Sequence, residues 1–270
     1  MRRRRGHRAR LLALLCGLGL LMPSAQALAG DPAPRTTPAS SATLPVVLLH
    51  GLARSARSMA GLAEHLEAAG YAVCNIGYPS REAPIATLVE AHLRPALRAC
   101  PGVWQGAHYV THSMGGILLR ALAQSEEAPR IHRVVMLAPP NQGSEVVDAI
   151  GDWPAFGWWN GPAGRELGTG AHSLPQRLGP VPFELGVIAA TRSYNPLLSA
   201  LIPGDDDGKV AVASTRVAGM TDHATVAASH TFVMNHARAR ELTLRFLREG
   251  RFDAAGNASA AADAGADPLD

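Results

Sequence analysis

Lysine is almost missing from the 270 residues. Lys209 is the only one, although arginine is abundant. That bias is a matter of composition and points to no function. Aromatic residues make up only 5%, against an apolar fraction of 47%, so any core must be largely aliphatic, and the chain is long enough to build one. Cysteine is scarce, at Cys16, Cys74 and Cys100, with spacings that fit no metal site. Internal repeats are absent. No acidic residue precedes position 28, where six arginines lie; of 25 basic residues 19 then remain against 22 acidic ones, and the formal charge moves from +3 to −3. The basic balance belongs to the first residues, and nothing in the remainder argues for nucleic-acid binding.

Those first residues follow a pattern of their own. MRRRRGHRAR is basic, LLALLCGLGLLM is apolar, and PSAQALAG is rich in small residues. This predicts a secretory signal peptide over 1–29, cleaved after Ala27 or Ala29 and too short for a stable membrane span. Cys16 leaves with it, so Cys74 and Cys100 form one candidate disulfide in an oxidising compartment. Residues 30–43 read as an extended Pro/Ser/Thr-rich leader, residues 44–250 as one domain, and 251–270 as an Ala/Asp/Gly-rich disordered tail.

Within the domain, short apolar runs alternate with amphipathic stretches. Strands are expected at 44–51, 71–80, 107–112, 133–138, 185–190 and 223–228, with helices over 55–70, 84–99 and after Ser113. This alternation predicts an α/β fold with a mostly parallel central sheet and helices on both faces. Cys74 would sit near the edge where strands begin, and Cys100 would end a helix returning to that edge. One interval, about 145–182, breaks the rhythm with Trp153, Phe156, Trp158 and Trp159 among many Gly and Pro. It reads as one inserted segment.

The chemistry concentrates at three places. AHYVTHSMGG carries a strand into a helix across Ser113, with Gly115 and Gly116 leaving room for a tight turn but Thr111 where glycine is usual. A serine hydroxyl needs a base, a carboxylate to orient that base, and N–H donors for an oxyanion. Met114 and, in the loop LLHGLARS, Leu52 are the candidate donors, and His50 reads as a loop-shaping hydrogen bonder. PGDDDGK offers Asp205, Asp206 and Asp207 as the acid, with Asp207 preferred and Asp206 second. The alternating ligands and distal glutamate of a calcium loop are missing there. DHATVAASHTF offers His223 and His230, and His230 is preferred because it follows the strand, at the edge where the other loops gather. His236 and His223 read as structural.

The segments LLHGLARS, GYPSR, THSMGG, LAPPNQGS, DDGKVAVAST and SHTFVMNH, over about 44–248, resemble the lipase/esterase branch of the α/β-hydrolase superfamily, of the exported bacterial type. The resemblance implies an α/β-hydrolase fold in which the segment at about 145–182 is an inserted cap or lid, its aromatics forming either a small core of their own or the wall of an acyl-chain site. It also implies a periplasmic or secreted serine hydrolase acting on a small-molecule ester or lipid. Ser113, Asp207 and His230 would carry the chemistry through an acyl-enzyme, and LAPPNQGS would shape the pocket. No cofactor or metal is implied. The same three residues would equally serve an acyltransferase or thioesterase, and the scaffold also hosts non-catalytic binding modules. Thr111 departs from the usual glycine of the turn.

Overall fold

A computed structural model describes residues 44–253. The expected signal peptide and leader, and all of the expected tail beyond residue 253, lie outside the described residues. In chain order the elements are β1 (Val46–Leu49), α1 (Ala60–Ala68), β2 (Val73–Ile76), α2 (Ile85–Leu88), α3 (Arg94–Ala99), β3 (Ala107–His112), α4 (Met114–Ala123) and β4 (Ile131–Leu137). They continue with α5 (Glu145–Ile150), α6 (Pro154–Arg165), α7 (Leu174–Arg177), β5 (Glu184–Ala190), α8 (Pro196–Ser199), β6 (Asp222–Val226) and α9 (Ala237–Glu249).

The six strands form one sheet in the order β2-β1-β3-β4-β5-β6, and every pairing is parallel. β1, fully buried, runs between β2 and β3, so the chain first moves outward and then crosses back. That reversal sends successive helices to opposite faces. Alternate residues of β1 divide accordingly: Val47 and Leu49 pack with α2, α3 and α4 through Ile85, Leu97 and Ile117. Val46 and Leu48 pack with α1 and α9 through Leu62, Leu66, Leu242 and Phe246. In a sheet of this kind the loops at the carboxyl ends of the strands part around the reversal point and leave a crevice there.

The helix expected over 84–99 is continuous but irregular. A π-turn, Val89–Leu93, joins α2 to α3 just ahead of Pro95. Proline has no N–H to donate back along the helix, and the widened turn accommodates that loss. Between β4 and β5, α5, α6 and α7 occupy the expected insertion. It is tied down by polar contacts: Glu166 Oε2 accepts from Ile85 N at 2.7 Å, and Arg120 on α4 donates to the Pro175 and Gly179 carbonyls at 3.0 and 2.8 Å. Arg120 is buried, faces only neutral acceptors, and is pushed down to about 10 by desolvation.

The fold also runs past residue 250, where a disordered tail was expected. Phe252 is buried against Phe246, with its N–H held by Asp222 Oδ2 at 2.7 Å and its carbonyl by Arg245. A large aromatic side chain with an apolar wall to cover overrides the polar composition that follows it.

Cys74 on β2 and Cys100, which caps the carboxyl end of α3, are joined as a disulfide across 26 residues of sequence. Closing a loop of that size removes freedom chiefly from the unfolded chain. The double variant Cys74→Ser/Cys100→Ser is expected to lose about 3 kcal/mol of unfolding free energy in urea titration.

Candidate active site

The turn after β3 is set by a collision that glycine avoids. A Cβ at position 115 would stand 2.7 Å from the Leu49 carbonyl oxygen and 2.8 Å from that of His50. Without that Cβ, the first turn of α4 lies against the end of β1. Ser113 is held at φ 52°, ψ −125°, a backbone conformation that costs a non-glycine residue about 1–3 kcal/mol. The Ser113 side chain therefore projects at the carboxyl end of the sheet, beside the loop that leaves β1.

Thr111 fits this turn. It is fully buried, and its Oγ1 would lie 3.3 Å from a Cβ at position 116, so glycine at 116 supplies room that is usually found at 111.

His230 comes from the loop after β6. Its Nε2 lies 2.9 Å from Ser113 Oγ and its Nδ1 lies 2.8 Å from Asp207 Oδ2. Asp207 is buried, and its other oxygen accepts from the backbone N–H groups of Lys209 and Val210 at 3.0 and 2.9 Å. Asp206, the second-choice acid, turns elsewhere and accepts from Ser199 Oγ at 2.7 Å and Gly208 N at 2.6 Å. Ser113, His230 and Asp207 thus form one hydrogen-bonded line, and Asp205 and Asp206 stay outside it.

The remaining histidines have other partners. His50 accepts from Tyr78 N at its Nε2 (3.2 Å), so its Nδ1 carries the proton and donates to the Gly51 carbonyl at 2.9 Å. Its ring stacks on Tyr78 at 4.0 Å, and the Tyr78 hydroxyl donates to the His50 carbonyl. Ser80 Oγ accepts from Ala53 N at 3.0 Å. These contacts pin the loop that presents Leu52. Among the described residues neither the Leu52 nor the Met114 N–H donates a hydrogen bond, as expected of Met114 in the first turn of a helix.

His112 was not singled out from the sequence. It is buried beside Ser113, and its Nε2 donates to the His230 carbonyl at 2.8 Å. Desolvation and the neighbouring His230 hold it well below its ordinary value, so it remains neutral. It positions the His230 loop from below. The only signal for it in the sequence was its adjacency to the candidate nucleophile.

A cavity of about 470 Å³ opens over Ser113 and His230. Its apolar wall comes largely from the insertion, through Val146, Val147, Ile150, Phe156 and Leu167. Trp153, Trp158 and Trp159 are 62%, 81% and 58% exposed, so these tryptophans form no core of their own. Trp159 lines the cavity instead. Among the described residues no cluster of ligating side chains could hold a metal ion.

A parallel sheet with helices on both faces, and a serine, histidine and aspartate from three loops at one sheet edge, define an α/β-hydrolase, and the chain belongs to that superfamily. The profile of the palmitoyl protein thioesterase family matches residues 45–169. No curated protein matches the chain by sequence. The mature form of the Bacillus licheniformis lipase BlEst2 is similar in structure, with a TM-score of 0.60 and 21% identity over 81% of this chain and 95% of that one. In the propeptide form of the same lipase (TM-score 0.61, 21% identity, 81% of this chain), the chain spans only 52% of the length. A metagenomic carboxyl esterase aligns with a TM-score of 0.57 and 22% identity over 76% of this chain and 70% of that one. The chain thus has the fold of these lipases and esterases, and the thioesterase profile covers β1 through α6.

Two outcomes are expected. Gly115→Ala should lower the unfolding free energy by about 1–3 kcal/mol, because backbone carbonyls cannot yield to the new methyl group. His223, on β6, bonds Thr215 Oγ1 at 2.9 Å and is pushed from 6.5 down to about 4 by burial and Arg216. Between those values the unfolded chain binds a proton that the folded one refuses, so this group's stabilisation is intact above pH 6.5 and lost as pH falls towards 4. The Tm of the wild type should therefore drop more steeply across that window than the Tm of His223→Gln.

Proposed function

We propose that the chain is an exported serine hydrolase that cleaves carboxylic esters through Ser113, His230 and Asp207. The observation that carries this reading is the continuous line from Ser113 Oγ to His230 Nε2 at 2.9 Å and from His230 Nδ1 to Asp207 Oδ2 at 2.8 Å. Ser113 Oγ attacks the carbonyl carbon and passes its proton to His230 Nε2. The free N–H groups of Leu52 and Met114 receive the oxyanion. Collapse of the tetrahedral adduct breaks the bond to the leaving alcohol, which takes the proton from His230. Water then repeats the sequence on the acyl-enzyme and returns Ser113. Asp207 keeps the proton on Nδ1, so that Nε2 remains the basic nitrogen.

The insertion acts as a cap over the acyl chain. The apolar wall of Val146, Val147, Ile150 and Leu167 supports that role. Export to the periplasm or the medium is supported by the basic, apolar and small-residue pattern of residues 1–29 and by the Cys74–Cys100 disulfide. Among the described residues no helix is long and apolar enough to cross a membrane.

A second reading, thioester hydrolysis by the same residues, is favoured by the palmitoyl protein thioesterase match over 45–169. Matched oxyesters and thioesters of rising acyl length, assayed side by side, separate the two. In either case Ser113→Ala is expected to lower kcat/KM by at least about 10⁴-fold, and Asp207→Asn by about 10⁴-fold in kcat, with both variants folded by circular dichroism. Near-wild-type turnover by Ser113→Ala would exclude both readings.

A further inference from the structure

The cavity over Ser113 carries charge of one sign. Among the described residues Arg54 and Lys209 line it, and no aspartate or glutamate does. Arg54 follows Leu52 in the loop after β1, and Lys209, the only lysine of the chain, lies two residues after Asp207, so the two cations reach the cavity from separate loops. Both residues are exposed, and among the described residues neither side chain forms an ion pair or hydrogen bond. The counter-charge nearest in effect to Lys209 is Asp207, which is already engaged by His230 and two backbone N–H groups.

The two cations also act on one another. Although Lys209 is exposed as a residue, its ammonium stands in crowded surroundings: desolvation lowers it from its ordinary value, Arg54 lowers it further, and Asp207 opposes both. Lys209 and Arg54 together lower His112, the neighbour of Ser113. Two like charges held over one largely apolar cavity repel, and Asp207, whose effect on Lys209 ranks below that of Arg54, offsets this only in part. An anion placed between them removes that repulsion, and a guanidinium beside an ammonium suits a phosphate. Buried Val146 and Leu167 line the same cavity as the exposed cations, so one space offers apolar surface for an acyl chain and positive charge for an anion.

We propose that Arg54 and Lys209 recognise a phosphate carried on the leaving-group side of the scissile ester or thioester. This rests on the serine-hydrolase reading and names the substrate class for that site. The alcohol or thiol leaves with its phosphate intact, protonated by His230, and no bond to phosphorus is broken.

The test compares kcat/KM within two pairs that share an octanoyl chain. One pair is monooctanoyl glycerol and its 3-phosphate; the other is octanoyl-N-acetylcysteamine and octanoyl-coenzyme A. The expected result is a preference for the phosphate-bearing member of about tenfold or more at low ionic strength, shrinking as salt is added. Preference in the glycerol pair points to a lipid headgroup, and preference in the thioester pair points to a soluble carrier; either supports the proposal. Arg54→Gln/Lys209→Gln should reduce the ratio to within about twofold, and Arg54→Glu should lower it further. Both residues are exposed, so folding of the variants is checked simply by their Tm. A ratio near one in both pairs for the wild type, or a ratio that survives the substitutions and salt, would overturn the proposal. Failure of the underlying reading looks different: Ser113→Ala would then still turn over the neutral members.

Discussion

The close approach of α4 to the end of β1 is the constraint on which the site depends. It exists because position 115 has no side chain to meet the Leu49 and His50 carbonyls. Given that approach, Ser113 must adopt its positive φ, and its hydroxyl is delivered to the sheet edge where the loops after β1 and β6 also end. Without the approach, the loop after β1 would no longer lie beside the serine, where a Cβ at Gly51 would stand 3.2 Å from that of Ser113. The backbone strain at Ser113 is tolerated because both flanking elements are fixed, β3 in the middle of the sheet and α4 almost wholly buried.

Rigid loops around that turn are maintained by polar side chains whose roles are divided. His50, Tyr78 and Ser80 hold the loop after β1, His112 holds the carbonyl of His230, and backbone N–H groups hold the free oxygen of Asp207. Each of these groups is buried or partly buried and would be costly to leave unpaired. His50 and His112 stay neutral through desolvation, which lets them work as hydrogen-bonding struts without adding charge beside the candidate base. Among the described residues the positive charge lining the cavity comes from Arg54 and Lys209, at exposed positions where a substrate group could meet it.

Much of this arrangement was legible in the chain because it rests on local rules. A continuous apolar run marked β1, mostly apolar or β-favouring residues marked β3, and helical spacing marked α1 and the helix from Ile85 to Ala99. Ser113, Asp207 and His230 fall in turn in the segments after β3, β5 and β6. Thr111 was harder to read, since the usual glycine is missing. Its tolerance depends on position 116, which lies next to it only after the chain has turned. The tryptophans were open between two roles, and their exposure depends on how α5 and α6 lie over the cavity. His112 and Arg120 gave almost no signal, because a histidine beside a serine and an arginine in an apolar helix look incidental until their partners, 118 and 55 residues away, are in place.

Local pattern along the chain is enough for the alternation of strands and helices, the parallel sheet that follows from it, and a short set of reactive residues in a fixed order. Those are consequences of periodicity, side-chain size and chain connectivity, all of which are properties of neighbours along the chain. Tertiary structure alone decided that Asp207 and not Asp206 reaches His230, that Phe252 belongs to the core, and that Arg54 and Lys209 face one cavity. Each of these depends on distances between residues far apart in sequence, which are set only when buried apolar surface has fixed how the loops meet.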